Sequence, residues 1–223
     1  MYEFHQDKRQ YVEIQLHNAE KYVLPFIEQH FALQPGMDIL EIGSGKGSVL
    51  KAFANKGCRA TGVEMNEEYV QYAREWLAED EAAGRVRFIC KDVYQVDFQS
   101  ELGGLFDLIV MKDVIEHIHD QEKLISYLHR LLKPGGAVFF AFPPWYMPFG
   151  GHQQICRRKW LSRLPYYHLL PMAWYRALLR QLREPMMEGL LEIKETGISI
   201  ERFERICKRC GFSVKASRHY LIN

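Results

Sequence analysis

The sequence predicts a doubly wound α/β fold, a mostly parallel sheet with helices on both faces, and three observations predict it. Five short apolar runs, Asp38 to Ile42, Arg59 to Glu64, Arg85 to Cys90, Leu105 to Met111 and Ala137 to Phe142, are spaced by segments long enough for crossover helices. The runs are continuously apolar and rich in β-branched residues, the habit of strands buried on both faces. The first run opens into a glycine-rich turn, Gly43-Ser44-Gly45-Lys46-Gly47, before a helical pattern from Ser48.

The elements follow in order. Residues 6 to 33 read as mainly helical, with Pro25 marking a break or a new helix start, and are expected to lie over the sheet's edge as a cap. Asn66 is placed to cap a helix running to about Glu81, with Gly84 as its stop. Pro134, Gly135 and Gly136 are expected to end the helix that begins near Asp120. Ser199 to Cys210 reads as a helix and Phe212 to Ile222 as a strand. The expected division is therefore an N-terminal helical cap (1–36), an α/β core (37–143), a basic aromatic insert forming a lid (144–195), and a C-terminal helix and strand completing the sheet (196–223).

Composition narrows the classes. With 223 residues, 48% hydrophobic and 13% aromatic, the chain can bury a sizeable core, which argues against disorder and suggests one core with elaborations. The net charge of +1 exerts no global pull toward nucleic acid. Five scattered cysteines and no basic, apolar leader predict a reduced, cytoplasmic protein. Cys207 and Cys210 form a lone CxxC, whereas a closed zinc site needs four ligands, so no metal is expected. The longest uncharged run, Pro134 to Cys156, holds four Gly and four Pro and cannot be a spanning helix.

Spacing separates the nucleotide-type readings of the first loop. A dinucleotide fingerprint requires glycine where the chain has Ser48. A phosphate-binding loop requires glycine at Leu40 and a hydroxyl residue at Gly47. What remains is an acidic residue followed by G-x-G-x-G after a first strand, which resembles motif I of the class I S-adenosylmethionine-dependent methyltransferases. Further checkpoints fall in order: Glu64 closes the second strand 19 residues past Gly45, Asp92 follows the third, Phe106 to Met111 looks like motif IV, and Leu131 to Gly136 (LLKPGG) like the turn before strand five. The resemblance covers residues 38 to 142.

The resemblance implies a Rossmann-like sheet and S-adenosyl-L-methionine as cofactor, with S-adenosyl-L-homocysteine as product. It implies that Gly43, Ser44 and Gly45 approach the methionyl part, that Glu64 holds the ribose hydroxyls, and that Asp92 and Val93 border the adenine. Met111 and Lys112 would offer mostly backbone contacts, and Glu41, Gly47 and Met65 complete the cofactor-binding set. Lys46 is expected to be a surface residue.

A sulfonium methyl is already activated, so the protein must bring a nucleophile to ~3–3.5 Å in line with the sulfur and exclude water. A base is needed only for hydroxyl acceptors. His117, in Asp113-Val114-Ile115-Glu116-His117, follows strand four and resembles the Glu-His step of many small-molecule family members. His152, in the glycine-flanked loop after strand five, is the second candidate. Both could equally be packed or turn histidines. Pro143-Pro144-Trp145 resembles the proline pair of amino-group DNA methyltransferases, but it follows strand five and Phe142 replaces the polar acceptor, so it is read as a decoy.

From Ile155 to Arg183 the chain carries Arg157, Arg158, Lys159, Arg163, Arg176, Arg180 and Arg183 with no acidic residue, interleaved with Trp160, Tyr166, Tyr167, Trp174 and Tyr175. Such a mix can lie on an anionic membrane surface, wall off a hydrophobic or anionic substrate, or simply pack with its arginines in solvent. Nucleic acid is not expected, since no recognised binding module surrounds the patch. The expected function is methyl transfer to a small, hydrophobic acceptor, with O-methylation favoured, in the small-molecule branch that includes the quinone-biosynthesis O-methyltransferases. The acceptor is expected between the insert and the N-terminal helices. The alternative is a cofactor-binding regulatory or membrane-surface module without turnover. Monomer and homodimer both stay open, as does peripheral membrane contact through 155–183. The family's sheet normally ends in strands six and seven, so either the hairpin is incomplete or the sequence lacks a natural C-terminal tail.

Overall fold

The computed structural model describes residues 8–97 and 99–220. These form an α/β unit (residues 8–97, 99–112, 126–140 and 213–220) and a helical unit (residues 113–125 and 141–212).

In the α/β unit, β1 (Asp38–Ile42), β2 (Arg59–Glu64), β3 (Val86–Cys90), β4 (Phe106–Lys112) and β5 (Leu132–Ala141) make one sheet in the order β3-β2-β1-β4-β5. β1 runs parallel to β2, with Ile39 opposite Ala60, and parallel to β4, with Ile39 opposite Leu108. β2 runs parallel to β3. The order reverses between β1 and β4, and doubly wound sheets bind ligands beyond the carboxyl ends of their strands at such a point.

The helix α3 (Ser48–Asn55) buries Val49, Leu50, Ala52 and Phe53 against Ile39, Ala60, Leu108 and Val110 of the sheet. A Phe with no exposed surface contributes ~1.5–3 kcal/mol of apolar burial. Asn66 caps α4 (Glu67–Trp76) as expected, its side chain accepting the Tyr69 N–H at 3.2 Å. The predicted helix does not run unbroken to Glu81: buried Leu77 adopts a non-helical turn (φ −108°, ψ 23°) before α5 (Ala78–Ala82). Gly84 follows with φ +68°.

The N-terminal segment is helical as predicted: α1 (Lys8–Asn18), a π turn over Ala19–Val23, and α2 (Leu24–Glu28). Pro25 sits in the first turn of α2, where its missing N–H costs nothing, and the wider π turn ahead of it, with Leu24 N–H donating to Ala19 O, absorbs the lost register.

Two further expectations fail. The helix α6 (Gln121–Leu128) stops well short of Pro134, and Pro134-Gly135-Gly136 lies inside β5. Lys133 decides this: its Nζ bridges Asp38 Oδ2 at 2.8 Å and Asp107 Oδ2 at 2.7 Å, tying the start of β5 to the starts of β1 and β4. Proline is tolerated there because β5 is an edge strand. The second failure is the C-terminal strand over Phe212 to Ile222. Residues 212–220 contain no strand, residues 221 and 222 lie outside the described residues, and the sheet of the described residues has five strands. Val214 and Tyr220 are 49% and 55% exposed, so the segment buries no face, and among the described residues no neighbouring strand supplies a ladder. Side chains hold this tail instead: Arg218 donates to Gln29 Oε1 at 3.0 Å and lies over Phe26.

The helical unit contains α7 (Lys159–Ser162), α8 (Met172–Gln181), α9 (Met187–Thr196) and α10 (Ile200–Arg209) around a core of Cys156, Leu161, Tyr167, Tyr175, Leu179 and Leu190. The segment 144–195 carries α7, α8 and α9 and shares one unit with 113–125 and 196–212. Buried Gln121 donates to Ile115 O at 3.1 Å and Thr196 O at 2.5 Å, and Thr196 Oγ1 donates to Glu116 O at 2.6 Å. These bonds pin the turn after β4 to the end of α9. Ser199 caps α10, its hydroxyl accepting the Arg202 N–H.

Candidate functional site

The α/β unit gathers the predicted cofactor residues at the carboxyl ends of β1, β2, β3 and β4. Gly43 (φ +72°) and Gly45 (φ +52°) turn the chain out of β1, and the Gly43 N–H donates to Val63 O at 2.8 Å. The Gly45 N–H donates to Glu64 Oε2 at 2.9 Å, while Glu64 Oε1 accepts the Asn66 N–H at 2.9 Å. The carboxylate at the end of β2 is thus held against the glycine loop.

Gly47 requires its residue type. It has φ +81°, and a Cβ there would lie 3.0 Å from Leu77 Cδ1 and 3.2 Å from the Phe88 ring. Sequence reading missed Gly62 in β2, where a Cβ would meet Ser44 Oγ and Leu50 Cδ1 at 2.6 Å. An isolated glycine inside a strand was the available signal.

Glu41 is 3% exposed, and its Oε2 has no hydrogen-bond partner. Burial raises its pKa well above the ordinary carboxylate value, opposed by the Lys112 charge and by a hydrogen bond from the Leu50 backbone in the first turn of α3. The Ser44 hydroxyl is also buried without a partner. These are polar groups of the kind that a bound ligand would satisfy.

Asp92 caps a short 3₁₀ turn, its Oδ1 accepting the Tyr94 N–H at 2.9 Å, and Val93 is buried. Met65 is 70% exposed beside Glu64, whereas Met111 is wholly buried. Lys112 Nζ donates to Gln15 Oε1 at 3.2 Å. Lys46 departs from expectation. It is half-buried, with its ammonium over the rings of Tyr11, Tyr69 and Tyr72.

The helical unit brings both candidate histidines together. His117 closes a 3₁₀ turn five residues after β4, and the His152 ring lies 5.2 Å from it, centroid to centroid. Buried Glu116 completes the group, its Oε1 3.8 Å from His117 Nε2 and 3.9 Å from His152 Nε2. Burial lowers the pKa of both histidines. That of His152 falls to about 4, with the His117 charge as the second cause. His152 (φ +54°) and Asp113 (φ +57°) both hold left-handed backbone, a strain that clusters at functional sites. Among the described residues Glu116, His117 and His152 form the one group with metal-binding geometry, all donor atoms lying within 4.8 Å. Two neutral imidazoles and a carboxylate are a donor set that divalent cations accept.

Trp145 of the proline-rich stretch donates its backbone N–H to Ile198 O and meets the His168 ring edge-on. Cys207 is buried, and burial pushes its thiol up to about 11. The aromatics of the basic segment divide: Tyr167 and Tyr175 stack in the core, while Trp160, Tyr166 and Trp174 are exposed beside the seven exposed cations. No helix of the described residues is long and apolar enough to cross a membrane.

A family model described as "Methyltransferase domain" matches residues 15–215. The chain belongs to this methyltransferase family. It is similar to the ubiquinone biosynthesis O-methyltransferases of Coxiella burnetii (29% identical) and Pseudomonas aeruginosa (32% identical), each over 126 residues. That match covers 56% of this chain, and the chain spans about half the length of these curated relatives, 51% and 52%. Two solved structures share the fold. One is phosphoethanolamine N-methyltransferase 2 of Haemonchus contortus in complex with S-adenosyl-L-methionine (TM-score 0.57, 23% identical, covering 84% of this chain and 36% of that one). The other is a putative sarcosine dimethylglycine methyltransferase of Galdieria sulphuraria (TM-score 0.60, 14% identical, 87% and 61%).

Proposed function

We propose that this methyltransferase-family chain binds S-adenosyl-L-methionine in the cradle of Glu41, Gly43, Ser44, Gly45, Gly47, Glu64, Met65, Asp92, Val93, Met111 and Lys112 and transfers its methyl group to an oxygen of a small, hydrophobic acceptor. The observation that carries the reading is the Gly45–Glu64 contact, which joins the glycine loop to an acidic strand end. Glu64 would accept the ribose hydroxyls, the loop backbone would approach the methionyl part, and Glu41 with the Lys112 region would face the amino acid end. The sulfonium supplies an activated methyl, so the chain's work is to orient the acceptor and exclude water.

His117 is the proposed base. It is the more exposed member of the pair, and burial keeps it neutral, so it can accept a hydroxyl proton at neutral pH. His152 would keep the His117 ring in place and Glu116 would stabilise the imidazolium formed. The similarity to ubiquinone biosynthesis O-methyltransferases favours phenols and quinols as acceptors.

Isothermal titration with S-adenosylmethionine and its demethylated product tests the cradle. Wild type should bind both, and Glu64→Ala should lose at least tenfold in affinity, the loss of a hydrogen-bonded charge. Equal binding by the two proteins would remove the assignment. An acceptor screen over phenols, quinols and lipid-linked acceptors, run with and without a chelator, tests the base. Chelator-sensitive turnover would make the Glu116 group a cation site instead.

A second reading, contact with an anionic membrane surface, rests on exposed Trp160, Tyr166 and Trp174 among the seven cations. Flotation with anionic vesicles at low salt should retain the chain, and its absence from the floated fraction would remove this reading.

A further inference from the structure

Helix α1 is tied to the glycine loop and its neighbours by side chains from four elements. Lys8 Nζ pairs with Glu68 Oε1 of α4 at 2.6 Å, Ser48 Oγ of α3 donates to Val12 O at 3.1 Å, and Lys112 Nζ at the end of β4 donates to Gln15 Oε1 at 3.2 Å. The fourth tie is Lys46, in the glycine loop itself. Its Nζ lies 5.0 Å from the ring centroid of Tyr11 on α1 and 5.3 and 5.6 Å from those of Tyr69 and Tyr72 on α4. All three distances are within the range of cation–π attraction, and that attraction strengthens as the cation loses water.

We propose that Lys46 is a latch: its ammonium, held over Tyr11, Tyr69 and Tyr72, closes α1 over the glycine loop and sets how long a bound S-adenosyl group resides. The inference rests on the cofactor placement proposed above. Every element that α1 grips either carries a proposed cofactor residue or adjoins one: the loop with Gly45 and Gly47, α4 directly after Glu64 and Met65, and β4 ending at Lys112. On that placement the elements α1 grips border the cofactor's seat, and the cage joins α1 directly to the glycine loop. Lys46 is half-buried, and burial lowers its pKa, as does the charge of Lys8, against Glu68. The ring faces stabilise an ammonium in a place where its hydration is reduced. Lysine also suits a latch mechanically. Its stem reaches from the glycine loop, and the charged end is shared by rings on two helices.

Lys46 is thus a positioning residue and touches no reacting atom. Three variants test it. Lys46→Met keeps the apolar stem and removes the charge, Lys46→Arg keeps a cation for the rings, and Tyr11→Leu removes the ring that α1 contributes. In cofactor-free protein, hydrogen exchange of the amides of residues 11–15 should rise about tenfold in Lys46→Met and Tyr11→Leu and stay near wild type in Lys46→Arg. The residence time of S-adenosylhomocysteine should shorten about 5- to 20-fold in the first two variants, with KM for S-adenosylmethionine rising and kcat retained. Lys46→Arg should restore both within about twofold. Unchanged α1 exchange in Lys46→Met, or Lys46→Arg behaving like Lys46→Met, would overturn the latch. Glu64→Ala separates this from the cofactor reading: it should weaken S-adenosylhomocysteine binding at least tenfold with α1 exchange unaltered. If it binds as wild type, the placement fails while the exchange of α1 still judges the latch.

Discussion

His117 and His152, 35 residues apart in sequence, stand with ring centroids 5.2 Å apart and share Glu116 Oε1 as a neighbour within 4 Å of each Nε2. Both are held neutral by burial, so the pair is a proton acceptor at neutral pH. For a hydroxyl acceptor, kcat should stay flat through pH 7 and fall only as the medium drops below the ordinary histidine value of 6.5. Replacing His117 by Ala should lower kcat about 10²–10⁴-fold with KM for the cofactor unchanged. A pH–rate profile for each protein checks this, and full turnover by His117→Ala would end the base assignment.

The strained His152 carries a stability signature. Its folded pKa of about 4 lies below the unfolded value, so the unfolded chain binds more protons between about pH 6.5 and 4, and stability is lost as pH falls through that window. His152→Asn keeps a residue tolerant of φ +54° and removes the titration. Denaturant midpoints of wild type and variant should converge or cross as pH is lowered from 7 to 4, and parallel curves would contradict it.

Glu41 makes the opposite prediction. Its folded pKa is raised, so stability is present below the unfolded carboxylate value and is lost as pH rises toward and past the raised one. Glu41→Gln should therefore stabilise the cofactor-free protein by ~1 kcal/mol or more at pH 7 and weaken cofactor affinity. Thermal melts with and without S-adenosylhomocysteine measure both, and a variant less stable than wild type without cofactor would refute the desolvation argument.

Gly47→Ala should cost ~1–3 kcal/mol, because it adds left-handed strain to a Cβ contact with Leu77 and the Phe88 ring. Gly62→Ala should displace Ser44 and Leu50, lowering cofactor affinity and stability together. Chemical denaturation and titration of the two variants separate the effects. Wild-type behaviour in both assays would show that these positions tolerate a side chain.

The α/β core was legible in the sequence because its information is local. Period, turn residues and caps are set by neighbours a few residues away, so β1 to β4, the Asn66 cap and the helix that follows Ser199 lie where the pattern put them. The same holds for the glycine loop and for Glu64, whose 19-residue separation from Gly45 is one βαβ step. Where a long-range partner competes with local preference, sequence was a poor guide. Pro134-Gly135-Gly136 reads as a helix stop, but the Lys133 bridge to Asp38 and Asp107 draws it into β5. The C-terminal alternation lacks a paired neighbour among the described residues and stays out of the sheet.

The sequence alone determined the family-type loop, the acidic strand end and two histidines as isolated candidates. Only tertiary structure decided which of them meet. It paired His117 with His152 over Glu116, turned Lys46 from a surface residue into the centre of a tyrosine cage, and made Gly62 a packing requirement of Ser44. The physical reason is that periodicity reports which face of an element is buried. It carries no term for the ring, carboxylate or backbone that arrives from 30 or 60 residues away.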